Sequence, residues 1–541
     1  MLEINLNNID SYILGTVPPA VLHDLVNTCA YSILGANFSA AGKEQWCPVC
    51  KKQAYTESEA RREEAIRLKC APADINMEPF PIGKLYCKKH GFITPIKLWD
   101  GGISLFNKTS LTFPSGILTK VIAVLKKHNV EYTIKDRRIR PETHSIPLVG
   151  VTLRDYQKNA VDAICGAGKG GRGTLRLITG AGKTLIIAGI TAELGVRTLI
   201  MVPSRTIFLQ VYERLKKYLK VPIGRIGDSE CDIKDITVAM PQSLTTSEKI
   251  KKNKYNPKKR RWEATVVNKV VIREDYIDYL KTIDCFIMDE CHHAAADTFL
   301  CVSSVLPNAY FRVGLTSTHF RDDQADILID AFSGRRLVDV CAKDLIDAGY
   351  LSKPTIHMIP FKHKLLSQRL NYAAAYSERI VNNDARNQLM VDIILKQVEN
   401  NKSVLVPVRY INHGEILTLM LKKHLGKKVA FVSGDSTSKE LNTAIKKLQK
   451  KQIMCLISTS VLGEGADVPS IDCVVMGSSV KSGVQALQNV GRALRRTEDK
   501  NTVDIYDIAD FGCRWFGEHS RVRKVFYESE PGFEVIEEPY E

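Results

Sequence analysis

Long apolar runs are missing from this sequence. None approaches the ~20 residues that a transmembrane helix requires, so we expect no membrane span. The first 14 residues carry acidic and asparagine residues where a signal peptide carries positive charge, and we therefore expect a cytoplasmic protein. The 14 cysteines are scattered along 541 residues. In a chain without an export signal, this distribution is more typical of reduced thiols and metal ligands than of disulfides.

Acidic residues are too few to balance the basic ones. Lysine and arginine number 76 against 60 aspartates and glutamates, which gives a net charge of +16. This excess indicates a polyanionic partner, although a generally basic soluble protein would also carry it. The chain is longer than the size at which a single core keeps growing, so we expect about three or four domains.

Residues 177–184 read Leu-Ile-Thr-Gly-Ala-Gly-Lys-Thr between an apolar stretch and a helical pattern. A strand, a glycine turn and a helix start would aim backbone N–H groups and a positive dipole end at one anion. We predict that Lys183 reaches the β- and γ-oxygens of ATP and that Thr184 ligates Mg²⁺. Leu177 replaces the first glycine of the full G-x-x-x-x-G-K-[ST] pattern, so the match is partial. The predicted ATP-binding residues of this loop are Thr179, Gly180, Ala181, Gly182, Lys183 and Thr184.

A second chemical anchor follows at residues 283–293, where an apolar stretch ends in Asp-Glu-Cys-His. Carboxylates at the end of a strand in a parallel sheet lie at the edge where the phosphate loop opens. We predict that Asp289 holds Mg²⁺ through water and that Glu290 orients or deprotonates the attacking water. Upstream, Gln157 can present a donor and an acceptor to an adenine edge, with Tyr156 or Arg154 in support.

Two knuckle-like turns, Cys-x-x-Cys and Cys-x-x-His, lie in the first hundred residues. Three thiolates and an imidazole make a closed tetrahedral set of the kind that holds structural Zn²⁺. The predicted ligands are Cys47, Cys50, Cys87 and His90. Two alternatives stay open, namely unliganded thiols and a site that uses Cys70 in place of His90.

Residues 91–140 change to a small α+β pattern. Asp-Gly-Gly at positions 100–102 predicts a hairpin between strands at residues 92–99 and 102–106. A helix is expected at residues 116–128. This basic unit could lie on nucleic acid or merely pack on its neighbour.

A dense basic run at residues 248–262 contains Tyr255 and Trp262. Basic and aromatic side chains together suit phosphate contact and base stacking, and we include Lys258 and Arg260 among the candidate nucleic-acid contacts. A mobile solvated loop is the competing interpretation.

Taken in order, the motifs of residues 151–510 resemble those of the superfamily 2 helicases. The Asp-Glu-Cys-His stretch is similar to their DExH box. Residues 314–322 are similar to Gly-Leu-Thr-Ala-Thr-Pro-x-Arg, with His319 in place of the proline. Residues 463–469 look like motif V, and residues 488–496 look like motif VI. Six ordered motifs are far more specific than any one of them.

The alternation of apolar strands with helical stretches predicts parallel sheets covered by helices. Together with the resemblance, it gives an α/β fold of two RecA-like parallel-sheet motor domains, preceded by a small α+β accessory region with a zinc knuckle. Arg492 and Arg495 are spaced to place two guanidinium groups on one helix face, opposite Lys183. The resemblance adds Gln488 for catalysis, Gly465 and Asp467 for ATP, and Arg205, Gln242, Ser243 and Thr459 for nucleic acid.

Residues 98–106, 113–118 and 503–510 resemble phage branch-migration helicases of the UvsW type. This resemblance implies a duplex DNA translocase that remodels forks and four-way junctions in repair or recombination, in the host cytoplasm if a phage encodes it. An RNA helicase remains an alternative. So does the motor subunit of a restriction or defence complex, whose nuclease would be a partner because no convincing nuclease carboxylate cluster is present. A zinc and DNA-binding protein with a decayed motor is a further alternative.

The expected domain order has five parts. They are an N-terminal helical segment at 1–45, a zinc-knuckle and DNA-binding accessory domain at 46–145, an ATP-binding motor domain at 146–345, a second motor domain at 346–515, and a C-terminal tail at 516–541.

Overall fold

The computed structural model is a mixed α/β protein dominated by two parallel sheets, which with their flanking helices we call lobe 1 and lobe 2. Within the described residues, no helix combines the length and the apolar character that a bilayer crossing needs. The structure describes residues 1–32, 45–46, 53–54, 85–87, 91–93, 96–97, 102–166, 170–256, 261–317, 326–363, 371–459, 471–479, 481–494, 496 and 500–539.

An N-terminal unit precedes the lobes. Its elements are β1 (Leu2–Leu6), β2 (Asp10–Leu14), α1 (Pro19–Thr28), β3 (Ala30–Ser32), β4 (Gln45–Trp46), β5 (Gln53–Ala54), β6 (Leu85–Cys87), β7 (Gly91–Ile93), β8 (Ile96–Lys97), β9 (Gly102–Ser104), β10 (Thr112–Pro114), α2 (Leu118–Lys127) and β11 (Tyr132–Asp136). Its main sheet has the order β10-β2-β1-β11, and β1 pairs in parallel with β11. Leu25, Phe113 and Val121 are fully buried in its core. Segments predicted to be separate, 1–45 and 46–145, therefore share one sheet.

The predicted hairpin between residues 92–99 and 102–106 is wrong. Strand β9 pairs antiparallel with β3, whereas β8 pairs with β4. A glycine turn favours a local hairpin, but the partner of a strand is decided by packing with distant segments.

Lobe 1 is built on an eight-stranded sheet with the order β15-β14-β16-β13-β19-β20-β12-β21, parallel except at β15. Its elements are α3 (Asp155–Cys165), β12 (Arg172–Leu177), α4 (Lys183–Leu194), β13 (Thr198–Met201), α5 (Arg205–Tyr218), β14 (Ile223–Gly227), β15 (Glu230–Asp232), β16 (Ile236–Ala239), α6 (Pro241–Leu244), β17 (Thr245–Asn256), β18 (Arg261–Ile272), α7 (Ile277–Lys281), β19 (Cys285–Met288), α8 (Asp297–Ser303), β20 (Phe311–Thr316), α9 (Asp326–Ser333), β21 (Arg336–Val340) and α10 (Ala342–Asp347). Strands β17 and β18 form a separate antiparallel ribbon, so the basic run predicted as a possible loop is largely paired strand.

The N-terminal unit packs against lobe 1. Gly116 approaches the backbone of Asp330 so closely that a Cβ would overlap the Asp330 carbonyl oxygen. The Lys120 ammonium lies 3.3 Å from the Asp330 carboxylate. The Asn8 side chain donates a 3.0 Å hydrogen bond to the Pro307 carbonyl. The α+β unit thus packs on its neighbour, one of the two roles expected for it.

Lobe 2 is built on a seven-stranded sheet with the order β24-β25-β23-β26-β27-β22-β28, in which all neighbours are parallel. Its elements are β22 (Lys353–Lys362), α11 (Tyr372–Tyr376), α12 (Asp384–Glu399), β23 (Val404–Pro407), α13 (Ile411–Leu425), β24 (Val429–Val432), α14 (Ser438–Gln449), β25 (Cys455–Ser458), β26 (Cys473–Met476), α15 (Gly483–Ala493), β27 (Thr502–Phe511), α16 (Arg514–Ser529) and β28 (Glu534–Glu537). Short 3-10 turns span Ser115–Ile117, Glu274–Tyr276, Cys291–Ala295 and Gly426–Lys428, and a π turn spans Ser377–Val381.

Residues 516–541 are not a separate tail. Helix α16 packs on the lobe 2 sheet, and β28 extends that sheet beside β22. The bend between them returns to lobe 1, where the buried Glu530 carboxylate accepts from the buried Arg176 guanidinium. Glu530 also accepts a 2.8 Å hydrogen bond from the backbone N–H of Ala342. A buried charge pair is costly to break, so this contact fixes the C-terminal segment to lobe 1.

Candidate functional site

The phosphate loop leaves β12 and ends at the first turn of α4. Gly180 and Gly182 have φ angles of 95° and 81°, a region that side chains rarely adopt. A Cβ at Gly182 would also lie 2.7 Å from the Gln157 side-chain nitrogen. Helix α4 begins at Lys183, so its free N–H groups face the loop. These residues have the backbone geometry that the predicted anion cradle requires.

Gln157 supports this loop from α3. Its amide nitrogen donates to the Ala181 carbonyl at 3.1 Å, and its amide oxygen accepts from the Arg154 N–H at 2.9 Å. Gln157 is buried, and both ends of its amide contact protein; the adenine contact stays a prediction. The Arg154 guanidinium stacks 3.8 Å from the centre of the Tyr350 ring. Tyr350 follows α10, and nothing in the sequence pattern had indicated it.

Lys183 and Glu290 form a nearly buried ion pair at the centre of the site. Burial opposes the charge on Lys183, but the carboxylates of Glu290 and Asp289 outweigh it and raise the pKa of the ammonium. Burial likewise acts to raise the pKa of Glu290, yet Lys183 and His292 hold it well below its usual range. Both groups are therefore charged at neutral pH.

Three buried polar atoms in this cleft have no hydrogen-bond partner in the described part of the chain. They are Oε2 of Glu290, Nδ1 of His292 and Oγ of Ser317. The first lies 3.4 Å from Nδ1 of His292, too poorly placed for a hydrogen bond. Glu290 has a left-handed φ of 51°. Orphaned acceptors beside a lysine and a carboxylate fit a site that receives a nucleotide, Mg²⁺ and water.

Helix α15 of lobe 2 lies directly against the phosphate loop. A Cβ at Gly491 would lie 2.9 Å from Oγ1 and 3.1 Å from Cγ2 of Thr179, and closer still to its Cβ. Gln488 and Arg492 belong to the same helix, and Arg492 directly follows Gly491; their predicted roles stay predictions. Arg495, Gly465 and Asp467 lie outside the described residues.

Lys500 holds the end of this helix. Its buried ammonium donates to the carbonyls of Ala493, the last residue of α15, and Ile471, which follows the motif V stretch. Burial lowers the pKa of Lys500 to about 8. A cation at a helix C-terminus satisfies free carbonyls and complements the helix dipole. The sequence had given no sign of this role.

The predicted nucleic-acid contacts are only partly grouped by the fold. Arg205 pairs with Asp228 through two hydrogen bonds of 2.5 and 3.0 Å. Gln242 is exposed and Ser243 half-buried at the start of α6, which follows the carboxyl end of β16. Thr459 follows the carboxyl end of β25 in lobe 2. Lys258 and Arg260 lie outside the described residues.

The predicted zinc ligands fall almost wholly outside the described residues. Cys47, Cys50 and His90 are not described, and Cys87 is described only as part of the backbone of β6. Among the described residues, no group of three or more potential ligands is close enough to hold a metal ion. The zinc site therefore stays a prediction.

Comparison with known proteins matches both lobes. A family model for the type III restriction enzyme res subunit matches residues 150–321, and one for the helicase conserved C-terminal domain matches residues 385–497. The chain belongs to superfamily 2 of the helicases. Its two parallel-sheet lobes are consistent with the two RecA-like domains of that superfamily.

The relatives of this helicase are distant. It is 24% identical to a putative ATP-dependent helicase of Saccharomyces cerevisiae over 72% of this chain and 56% of the relative. It is 26% identical to the ATP-dependent DNA helicase UvsW of Enterobacteria phage T4 over 41% of this chain and 45% of the relative. The chain thus spans about half the length of each. In fold it resembles a fragment of a putative HsdR subunit of a type I restriction enzyme from Vibrio vulnificus, with a TM-score of 0.50, 16% identity and 91% of each chain covered.

Proposed function

We propose that this helicase uses ATP hydrolysis to move on duplex DNA and to remodel branched DNA by fork regression, four-way junction branch migration and unwinding. The observation that carries the proposal is the contact between Gly491 of lobe 2 and Thr179 of the phosphate loop, beside the Lys183–Glu290 pair. A nucleotide site completed by a second lobe couples hydrolysis to relative motion of the lobes.

The residues of lobe 1 supply the chemistry of hydrolysis. The phosphates of ATP compete with Glu290 for Lys183, so binding releases the Glu290 carboxylate to orient or deprotonate water. Mg²⁺, held by Thr184 and by Asp289 through water, would neutralise charge on the β- and γ-phosphates. Arg492 directly follows Gly491 and is proposed to approach the same phosphates from lobe 2. Arg495 is proposed to act beside it.

DNA is favoured over RNA as the partner because the UvsW relative is named a DNA helicase. The net charge of +16 agrees with either nucleic acid. The deciding experiment compares ATPase and strand-displacement activity on single-stranded, duplex, forked and four-way DNA, with RNA substrates alongside. We expect the largest stimulation by duplex or branched DNA. Stimulation by RNA alone would overturn the proposal.

A second candidate is the motor subunit of a restriction or defence complex. The res-subunit family model and the fold likeness to an HsdR fragment favour it. In that case the chain would co-purify with a nuclease subunit from its source, and DNA cleavage would require both. A chain that remodels forks and junctions alone, with no co-purifying subunit, would exclude this alternative.

A structural Zn²⁺ held by Cys47, Cys50, Cys87 and His90 remains part of the proposal. It would hold the N-terminal unit together and take no part in hydrolysis, because a closed Cys₃His set leaves no open coordination position.

A further inference from the structure

The carboxyl end of β23 carries an exposed cationic and aromatic surface that the nucleotide site does not use. Arg409 and Tyr410 lie between this strand and α13, and both are exposed, Tyr410 by 39%. Ligands of parallel α/β sheets bind at the carboxyl ends of the strands. Strand β23 is a central strand of lobe 2, with β25 and β26 on either side.

Arg409 adjoins a residue already predicted to contact nucleic acid. Pro407 pairs with Ser458, and the backbone N–H of Val408 donates a 2.8 Å hydrogen bond to the Ser458 carbonyl. Arg409 therefore lies one residue beyond the position opposite Thr459 on the neighbouring strand end. The two positions thus form one continuous edge of lobe 2.

The Arg409 guanidinium is surrounded by tyrosine rings. It lies 5.4 Å from the ring centres of Tyr376 and Tyr410 and 6.0 Å from that of Tyr372. Its only hydrogen bond to a described residue goes to the Tyr372 hydroxyl at 3.3 Å. Among the described residues, nothing else occupies the remaining guanidinium donors, which can contact an anion while the rings fix the position of the cation.

A buried aromatic base supports this surface. Tyr376 is fully buried and meets Tyr410 edge-on, with ring centres 5.3 Å apart. Tyr372 meets Trp515 edge-on at 6.0 Å and also contacts Phe516. Rings held in this way lose little freedom when a ligand stacks on them. Packing within lobe 2 accounts for Tyr376 and Phe516, but it does not require a ring at the exposed position 410.

We propose that Arg409, Tyr410 and Tyr372 form a platform on which lobe 2 stacks an unpaired base of a nucleic-acid strand, with Arg409 contacting the adjoining phosphate. This inference rests on the proposed function, in which the remodelling of forks and junctions exposes unpaired strands, and it specifies that lobe 2 binds such a strand. Rings and a planar cation suit a base and its phosphate, whereas a duplex keeps its base faces stacked inside. No sequence motif indicates the platform, because Tyr372 and Tyr410 lie in two separate segments of the chain.

The test measures the affinity of the full chain for a fluorescent oligothymidylate of about 20 nucleotides. Base stacking on one aromatic side chain contributes about 1–3 kcal/mol, so Tyr410→Ala should weaken binding about tenfold. Tyr410→Phe keeps the ring and should bind as the wild type does. Tyr410→Leu keeps an apolar side chain of similar bulk but lacks the ring, and it should bind as weakly as Tyr410→Ala. Agreement between the two variants would show that the loss does not come from misfolding caused by the small alanine side chain. Leu419→Ala, on an exposed part of α13, the helix that follows Tyr410, is the matched control and should change nothing.

An abasic oligonucleotide of the same length separates base from phosphate contacts. Tyr410→Ala should bind it as tightly as the wild type, whereas Arg409→Ala should weaken both ligands. Equal thymidylate affinity of wild type and Tyr410→Ala would overturn the platform while leaving the proposed function standing. If Tyr410→Ala also lost affinity for the abasic oligonucleotide, Tyr410 would contact the sugar-phosphate backbone and not a base. That result would also overturn the platform. A wild type that binds neither DNA nor oligouridylate would overturn the proposed function and the platform together.

Discussion

The close contact between the two lobes at Gly491 allows us to predict the effect of a single added methyl group. Gly491→Ala adds one methyl group to α15 on the side that faces Thr179 of the phosphate loop. Alanine is the better helix former by about 1 kcal/mol, so the helix itself should not be weakened. Any loss of activity would therefore come from the fit between the lobes.

The size of the effect follows from the distances. The new Cβ would lie 3.1 Å from Cγ2 of Thr179 and closer still to its Cβ, whereas carbon atoms rest about 3.5–4.0 Å apart. The lobes must therefore separate by about 1 Å. Misplacement of catalytic groups by that distance costs about 100-fold in rate. We expect kcat of the ATPase to fall by about this factor, with ATP affinity nearly unchanged because lobe 1 supplies the phosphate loop.

The assay is steady-state ATP hydrolysis with DNA present, alongside equilibrium binding of a fluorescent ATP analogue. Gly434→Ala in lobe 2 is the matched control, since its added Cβ would meet no atom within 4 Å. It should keep wild-type kcat. A Gly491→Ala enzyme with kcat within twofold of wild type would refute the view that this lobe contact is the working arrangement.

Four further predictions concern single groups. Glu290→Gln should keep ATP binding while kcat falls at least about 100-fold, and unchanged turnover would remove Glu290 from its role. Burial lowers the pKa of His413 to about 3. Below pH 6.5 the unfolded chain binds a proton at this residue, whereas the native state stays unprotonated. The unfolding free energy present above pH 6.5 should therefore fall by about 2 kcal/mol at pH 5. In urea unfolding at pH 5 and pH 7, His413→Asn should lack this pH-dependent loss of unfolding free energy. A pH dependence equal to that of the wild type would contradict the prediction. Lys500→Met strips the donor from two buried carbonyls and should cost about 2–4 kcal/mol of unfolding free energy, with an unchanged urea midpoint as the contrary result. Chelation or Cys47→Ser should destabilise the N-terminal unit if it holds zinc, and folded protein free of zinc by metal analysis would end that prediction.

The chemistry of the nucleotide site could be predicted from the sequence because it is local. Phosphate binding needs glycines, a lysine and a helix start within a few residues, and a strand ending in Asp289 and Glu290 places both carboxylates at one sheet edge. The sequence also predicts that a second lobe brings cations to the phosphates. The contact of α15 with the phosphate loop agrees with that expectation, while the roles of Arg492 and Arg495 stay predictions. The superfamily 2 resemblance came from the order of these short motifs and was confirmed.

Pairings between distant segments could not be predicted in this way. No sequence pattern indicated that β1 would join β11, that β9 would pair outside its apparent hairpin, or that β28 would lie beside β22. Such choices depend on which surfaces bury each other, and a pattern of period two is compatible with several partners.

Short motifs and their order along the chain were enough to predict the kind of chemistry, the α/β class and the order of the motor segments, because each motif depends on spacings of a few residues. Contacts between side chains of remote segments depend instead on how the folded elements pack. It brought Tyr350 to Arg154, Lys500 to the end of α15, Glu530 to Arg176, and three tyrosines to Arg409. Each of these contacts joins residues that are far apart in the chain or carry no motif, and packing alone brings them together.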